Sequence, residues 1–295
     1  MTARPSSCVR DTTVRAKRSL GQNFLVDPNI QRKIVAALDL TPEDEVLEIG
    51  PGTGALTRHL AEQAGRVIAI EKDDELAARL QAEFADGTGV TIVHGDALET
   101  DLRTLVHDPA RVKVVGNIPY NITSPLIFHL LESGLGAERI VIMVQREVAD
   151  RILAAPGEKA YGALSVGVRT VADVKRLFHV GRGAFRPVPD VDSTVILITP
   201  HRPPRLSPEE QADLRTLTRV AFGWRRKQLQ KILRSAEEYR VDPHDLEGVT
   251  GETGIEMDRR PETLTPDEFI ALSRALRKRG YPRSAGAGRE PETDV

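Results

Sequence analysis

Residues 45–55 read EVLEIGPGTGA, and this stretch decides the fold. EVLEIG (45–50) is a short strand that ends in a glycine. Gly50, Gly52 and Gly54 then let the backbone turn tightly and approach a ligand closely. The residues that follow, ALTRHLAEQ (55–63), have helical spacing. A strand, a glycine loop and a helix in that order form the first unit of an α/β sheet that holds a nucleotide-like ligand. Because residue 55 is alanine, the string also satisfies G-x-G-x-x-[GA], which by itself fits a dinucleotide as well as S-adenosylmethionine.

Moving outward, the same alternation continues. RVIAIE (66–71) is a second strand, ELAARLQAEF (75–84) a helix, VTIVHGD (90–96) a third strand and RVKVVGN (111–117) a fourth. A helix is predicted around 124–133, and RIVIMVQ (139–145) is the fifth strand. Strands alternating with helices of about ten residues predict a parallel sheet covered on both faces. VKRLFHV (174–180) and STVILIT (193–199) have no long helix between them and are expected to form an antiparallel hairpin at one edge. Upstream, Asp27-Pro28 is a helix start, an acid at the cap and proline at the first position, with Ile30, Ile34, Val35 and Leu38 on one face. The catalytic domain is expected to span 17–200.

PHRPPR (200–205) reads as a linker. SPEE (207–210) and TPDE (265–268) are capping boxes with proline at the first helical position. Residues 207–280 therefore read as a small helical domain. Residues 1–16 read as a basic flexible extension, preferred to a transit peptide because no apolar face is evident. The tail, 282–295, lacks apolar content and is expected to be disordered.

Bulk composition narrows the class. The chain has 295 residues, 40% of them hydrophobic and 28% charged, as in ordinary soluble proteins. No apolar run approaches the roughly 18 residues of a membrane helix. The one cysteine, Cys8, rules out an internal disulfide and a cysteine-based zinc cluster. Net charge is only −2, yet residues 215–234 hold seven Lys/Arg and no acid, and residues 1–34 hold seven against two Asp. Clustered cations of that kind suit a phosphate backbone.

Acids at strand ends choose between the ligands. Glu71 ends the second strand 21 residues after Gly50, where a carboxylate meets ribose hydroxyls. Asp96 ends the third, where it can accept from the amine of an adenine. With Glu48 on the first strand, three acids favour a cationic sulfonium over a pyrophosphate, and nothing basic stands in the glycine loop. S-adenosylmethionine is therefore preferred to NAD.

The fourth strand ends in GNIPYNITSP (116–125). Adenine's exocyclic amine is a weak nucleophile, because its lone pair is delocalised into the ring. Asn117 offers a side-chain carbonyl, and Ile118 a backbone carbonyl held extended by Pro119. These two acceptors can engage both N–H bonds and turn the lone pair toward a methyl donor. Tyr120 supplies a stacking face. Phe185, in FRPVPDVDS (185–193), is expected to stack on the other face of the base.

These segments, with SLGQNFLVD (19–27), QREVADRI (145–152), YGALSV (161–166) and AFGWRRKQLQKIL (221–233), resemble the rRNA adenine N6-dimethyltransferases over about residues 17–280. The small-subunit members are the better match, through the NITSPLI continuation and the long FRPVPDVDS loop. The resemblance implies a Rossmann-like methyltransferase sheet and a small C-terminal helical domain. It implies dimethylation of two adjacent adenosines near the 3′ end of 16S rRNA in the small ribosomal subunit, with a role in subunit biogenesis. It places Asn23, Leu25 and Gly50 against the cofactor, with Gly52 in the same loop. It sets Glu71 on the ribose, Asp96 on the cofactor's adenine and Asn117 between cofactor and target. Arg225, Arg226, Lys227, Lys231 and Arg234 are the expected RNA contacts, the last three on one helix face. A cytoplasmic monomer, with no membrane partner and no metal, is expected. The alternatives are a large-subunit enzyme of the macrolide-resistance type, and a non-catalytic ribosome-assembly or transcription factor on the same fold. A DNA adenine methyltransferase more often has an acid in place of Asn117.

Overall fold

The computed structural model describes residues 16–17, 20–85 and 87–282. The basic extension and the tail lie outside these residues, Ala16 and Pro282 apart. In chain order the elements are β1 (Phe24–Leu25), α1 (Pro28–Ala36), β2 (Glu45–Ile49), α2 (Thr57–Ala61), β3 (Arg66–Glu71), α3 (Asp74–Glu83), β4 (Val90–His94) and β5 (Lys113–Asn117). Then come α4 (Thr123–Glu132), β6 (Arg139–Gln145), α5 (Arg146–Leu153), α6 (Ala163–Arg169), β7 (Ala172–Val180), β8 (Phe185–Arg186) and β9 (Ser193–Pro200). Among the described residues four α-helices follow: α7 (Pro208–Gly223), α8 (Leu229–Ser235), α9 (Pro243–Thr253) and α10 (Pro266–Arg277).

Seven strands form one sheet in the order β4-β3-β2-β5-β6-β9-β7. β2 to β6 are parallel, and β9 and β7 are antiparallel additions at one side. The fold is thus α/β, a mostly parallel sheet with an antiparallel edge pair. β2 has β3 on one side and β5 on the other, so chain progression reverses there. A crevice opens at the carboxyl ends of strands at such a point.

Strand side chains alternate between two cores. Leu47, Ile49, Ile68 and Ile70 pack with Leu126, Leu130 and Ile152 on one face. Val46, Val67, Val115 and Val141 pack with Ile34, Leu38 and Leu60 on the other. A third core lies among α7 to α10 and takes in Ala154, Tyr161 and Val166 from the segment before β7. The C-terminal helices therefore share a core with α6 and with the segment between α5 and α6. The buried Tyr161 hydroxyl donates to the Leu264 carbonyl at 2.7 Å and ties the two.

The predicted helix starts are real caps. Asp27 accepts from the Asn29 and Ile30 amides, and Ser207/Glu210 and Thr265/Glu268 form reciprocal capping boxes. The helix predicted over 55–63 is only Thr57–Ala61, because Gly50, Gly52 and Gly54 hold the preceding loop at positive φ.

Candidate active site

Strand ends assemble the crevice. It is lined by residues 20–25, the loop after β2, Glu71 and Lys72 after β3, 95–97 after β4, and 117–122 after β5. About 1170 Å³ of open space lies among them, mouth included. All the predicted cofactor residues, Asn23, Leu25, Gly50, Gly52, Glu71, Asp96 and Asn117, stand on this lining, as do Ile118, Pro119 and Tyr120.

Two glycines show why the loop suits a ligand. Gly50 has φ +66°, which L side chains rarely adopt, and a Cβ there would meet no atom within 4 Å, so the space beside it is open. Gly52 has φ +60°, and a Cβ would press on the Phe24 ring at 3.2 Å. Its amide is also engaged, donating to Glu71 Oε2 at 2.9 Å.

The acids differ in their surroundings. Glu71 is buried, and its other oxygen accepts from the Asp73 amide at 2.9 Å. Burial holds its pKa above the usual carboxylate value, against these amide bonds. Glu48 is 1% exposed and accepts from the Thr57 hydroxyl at 2.7 Å. Burial, reinforced by Glu71, pushes it up to about 7. Asp96 is held below its usual value, chiefly by Lys72, whose ammonium donates to it. Its second oxygen accepts from the Leu98 amide at 2.9 Å.

Asn117 closes β5. Its Nδ2 donates to the Asn23 carbonyl at 3.0 Å. A carbonyl only accepts, so the amide orientation is determined, and Oδ1 is the group left for the cleft. The Ile118 amide donates to the Met143 carbonyl at 3.2 Å, which anchors the residue before Pro119. Tyr120 pairs its hydroxyl with Ser193 Oγ at 2.9 Å, and burial raises its pKa, so the phenol is neutral.

Phe185 is a correction. It is 1% exposed, pairs with Leu25 across β1–β8, and packs with Val180 and Val195 in the core. It is not among the residues that line the cleft, because its apolar ring is buried with the core that includes Leu25. The cationic cluster is corrected at two points. Arg225 is committed internally, to the Glu262 carboxylate and to the Glu158 and Lys159 carbonyls at 3.0 and 2.7 Å. Lys227 sits in the turn before α8, so Lys227, Lys231 and Arg234 do not share one helix face. Lys231 and Arg234, at i and i+3, do. Arg226, Lys227, Lys231 and Arg234 are exposed, with no ion pair among the described residues.

The sequence did not reveal the clasp over the cleft. Lys17 Nζ and Gln22 Nε2 both reach the Asp73 carboxylate, at 2.9 and 3.0 Å, and pin the segment that carries Asn23. Nor did it reveal Thr57, Lys72 and Ser193 as partners of Glu48, Asp96 and Tyr120. Of these, only the basic residue directly after Glu71 was a visible signal.

Comparison with known proteins bears on this geometry. Residues 13–274 match the family described as Ribosomal RNA adenine dimethylase. The chain is 43% identical over 270 residues to Ribosomal RNA small subunit methyltransferase A of Geobacter metallireducens, covering 91% of this chain and 98% of that one. The crystal structure of a dimethyladenosine transferase from Plasmodium falciparum superposes with a TM-score of 0.75 at 28% identity, over 87% of this chain and 98% of that one. That of 23S rRNA methyltransferase ErmE gives 0.65 at 26% identity, over 86% and 100%.

Proposed function

This chain belongs to the ribosomal RNA adenine dimethylase family, and from that premise we propose how its cleft works. The chain is an rRNA adenine dimethyltransferase of the small-subunit type. Its targets are two adjacent adenosines in the 3′-terminal hairpin of 16S rRNA, each dimethylated at N6. The large-subunit reading is not favoured, because a relative identical at 43% over nearly its whole length is a small-subunit enzyme. The methyl donor is S-adenosylmethionine, which when bound supplies an electrophilic methyl on a sulfonium.

The residues fit that donor. Open space beside Gly50 admits a ligand against the backbone, and Glu71 keeps lone pairs for ribose hydroxyls beyond its two amide bonds. Asp96 stands where an adenine amine can donate. Glu48 and Glu71, raised by burial, ionise more readily beside a cation, so the cleft favours the sulfonium over its neutral thioether product.

One observation carries the catalytic reading: the Asn117 amide is locked by the Asn23 carbonyl, so Oδ1 is presented without reorganisation. Oδ1 and the Ile118 carbonyl accept the two N–H bonds of the target amine. Tyr120, tethered to Ser193, holds the base flat. Asn117 takes no proton, so the proton leaves to solvent. The role of the intact Asn117–Tyr120 pair argues against a solely non-catalytic factor.

The test is mass spectrometry of 16S rRNA from cells lacking the gene. The adjacent dimethyladenosines should vanish, return with the wild-type gene, and stay absent with Asn117→Ala. Unchanged modification in the deletion strain would refute the assignment.

A further inference from the structure

We propose that Trp224 is a stacking platform for an unpaired base of the ribosomal RNA, set among phosphate-binding cations. This rests on the reading of the chain as an rRNA enzyme. Its basis is one exposed ring in one rigid turn. Two residues earlier, Phe222 is fastened to the C-terminal core, edge-on to Tyr161 at 5.8 Å and tilted on Phe269 at 5.6 Å. Trp224 by contrast is 45% exposed, and it is the one aromatic among the exposed large hydrophobic residues of the described chain.

The turn that carries it is built to stay put. The Trp224 amide donates to the Ala221 carbonyl at 3.3 Å, and the Lys227 amide donates to the Trp224 carbonyl at 2.8 Å. Arg225 staples the turn to Glu262 and to the 158–159 loop. Little conformational freedom is then left to lose on binding.

Charge indicates the occupant. Arg226 and Lys227 follow the ring, both exposed and without an ion pair among the described residues. The Arg225 bond to its carbonyl brings the exposed Lys159 alongside, and Lys231 continues the cations onto α8. Of the acids nearby, Glu262 is neutralised by Arg225 and Glu158 accepts from the Ala155 amide. An apolar protein partner would have to strip water from these cations without pairing them. A single-stranded nucleic acid meets both needs, with phosphates for the cations and a base face for the indole.

Stacking and charge separate on a salt axis. Binding of the full chain to unmethylated small subunits is measured over about 50 to 200 mM salt. Trp224→Ala should give a line parallel to wild type but about 5- to 150-fold weaker, the span of one stacked base. Trp224→Phe should recover most of the loss. Arg226→Ala with Lys227→Ala should flatten the slope instead. Thermal melts of Trp224→Ala should match wild type, since the ring is half exposed.

Trp224 is also the only tryptophan of the chain, so its emission reports the contact directly and should be quenched by an unstructured oligoribonucleotide. Wild-type affinity of Trp224→Ala, alongside a flattened slope for the cation variant, would overturn the stacking proposal and leave RNA docking standing. If neither variant altered binding, docking through this turn would fall with it. Loss confined to binding of anionic phospholipid vesicles would assign the ring to a membrane and overturn the proposal.

Discussion

The cleft and the α7–α8 turn handle charge in opposite ways. In the cleft, Glu48 and Glu71 are buried, and both are held toward the protonated form by desolvation. In the turn, Arg226 and Lys227 lie in solvent without an ion pair among the described residues. A buried acid costs stability, and the cost is tolerable where a small cation binds and relieves it. Exposed cations cost little, but each contributes little, so they suit a polyanion that touches several at once. On the function proposed above, the small ligand is met by a few preorganised groups and the large one by summed contacts.

That contrast can be broken most decisively at Asn117. Asn117→Ala should lower single-turnover methylation of small subunits by about 10²–10³, the scale of one preorganised electrostatic partner. Its melting temperature should fall only slightly, because the residue is half-buried at a strand end and gives up one hydrogen bond, to the Asn23 carbonyl. Tyr120→Ala should lose about 1–3 kcal/mol of stacking, seen in both capture and rate. Near wild-type rates for both methylations in either variant would remove the site from the cleft.

Glu48 tests the cost of the buried acid. Its folded pKa, about 7, lies above the unfolded value of 4.5, so between these the folded state holds the extra proton. Stability is therefore fully present below about pH 4.5 and declines as pH rises toward 7, by at most about 3 kcal/mol. Glu48→Gln should remove that decline, so it melts above wild type at pH 8 and close to it at pH 5. Its affinity for S-adenosylmethionine should fall. A parallel pH profile in the two proteins would show that the burial carries no such cost.

Arg225 sharpens the boundary between the two regions, as a cation of the turn with a structural task. Arg225→Ala should lower stability by about 1 kcal/mol, allowing for its partial exposure, by urea titration. Lys231→Ala with Arg234→Ala should leave stability unchanged. It should reduce the slope of log affinity against log salt by about 1.5, and leave S-adenosylmethionine binding untouched. An unaltered slope would return this helix face to ordinary solvated surface.

Much of the cleft was legible because its groups sit at strand ends. Glu71 and Asn117 close strands, and Gly50 and Asp96 follow within two residues of a strand end; each strand's apolar run is visible locally, and a parallel sheet brings such ends together. Phe185 was misplaced for the converse reason. Nothing near it in the sequence shows that Leu25, 160 positions earlier, lies opposite it across β1–β8. Arg225 was misplaced likewise, since Glu262 is 37 residues away.

The sequence by itself determined the alternation of strands and helices from β2 to β6, the caps at Asp27, Ser207 and Thr265, and the chemical type of each cleft residue. Those follow from short-range forces: steric limits on φ and ψ, side-chain periodicity and hydrogen bonds within a turn. Only the tertiary structure decided which way the Asn117 amide faces, what tethers Tyr120, and which cations of the basic stretch are left for a partner. Each of those depends on a contact spanning many residues, such as the 94 between Asn23 and Asn117 or the 73 between Tyr120 and Ser193. Contacts of that length exist only after the hydrophobic cores have closed and brought the chain segments together.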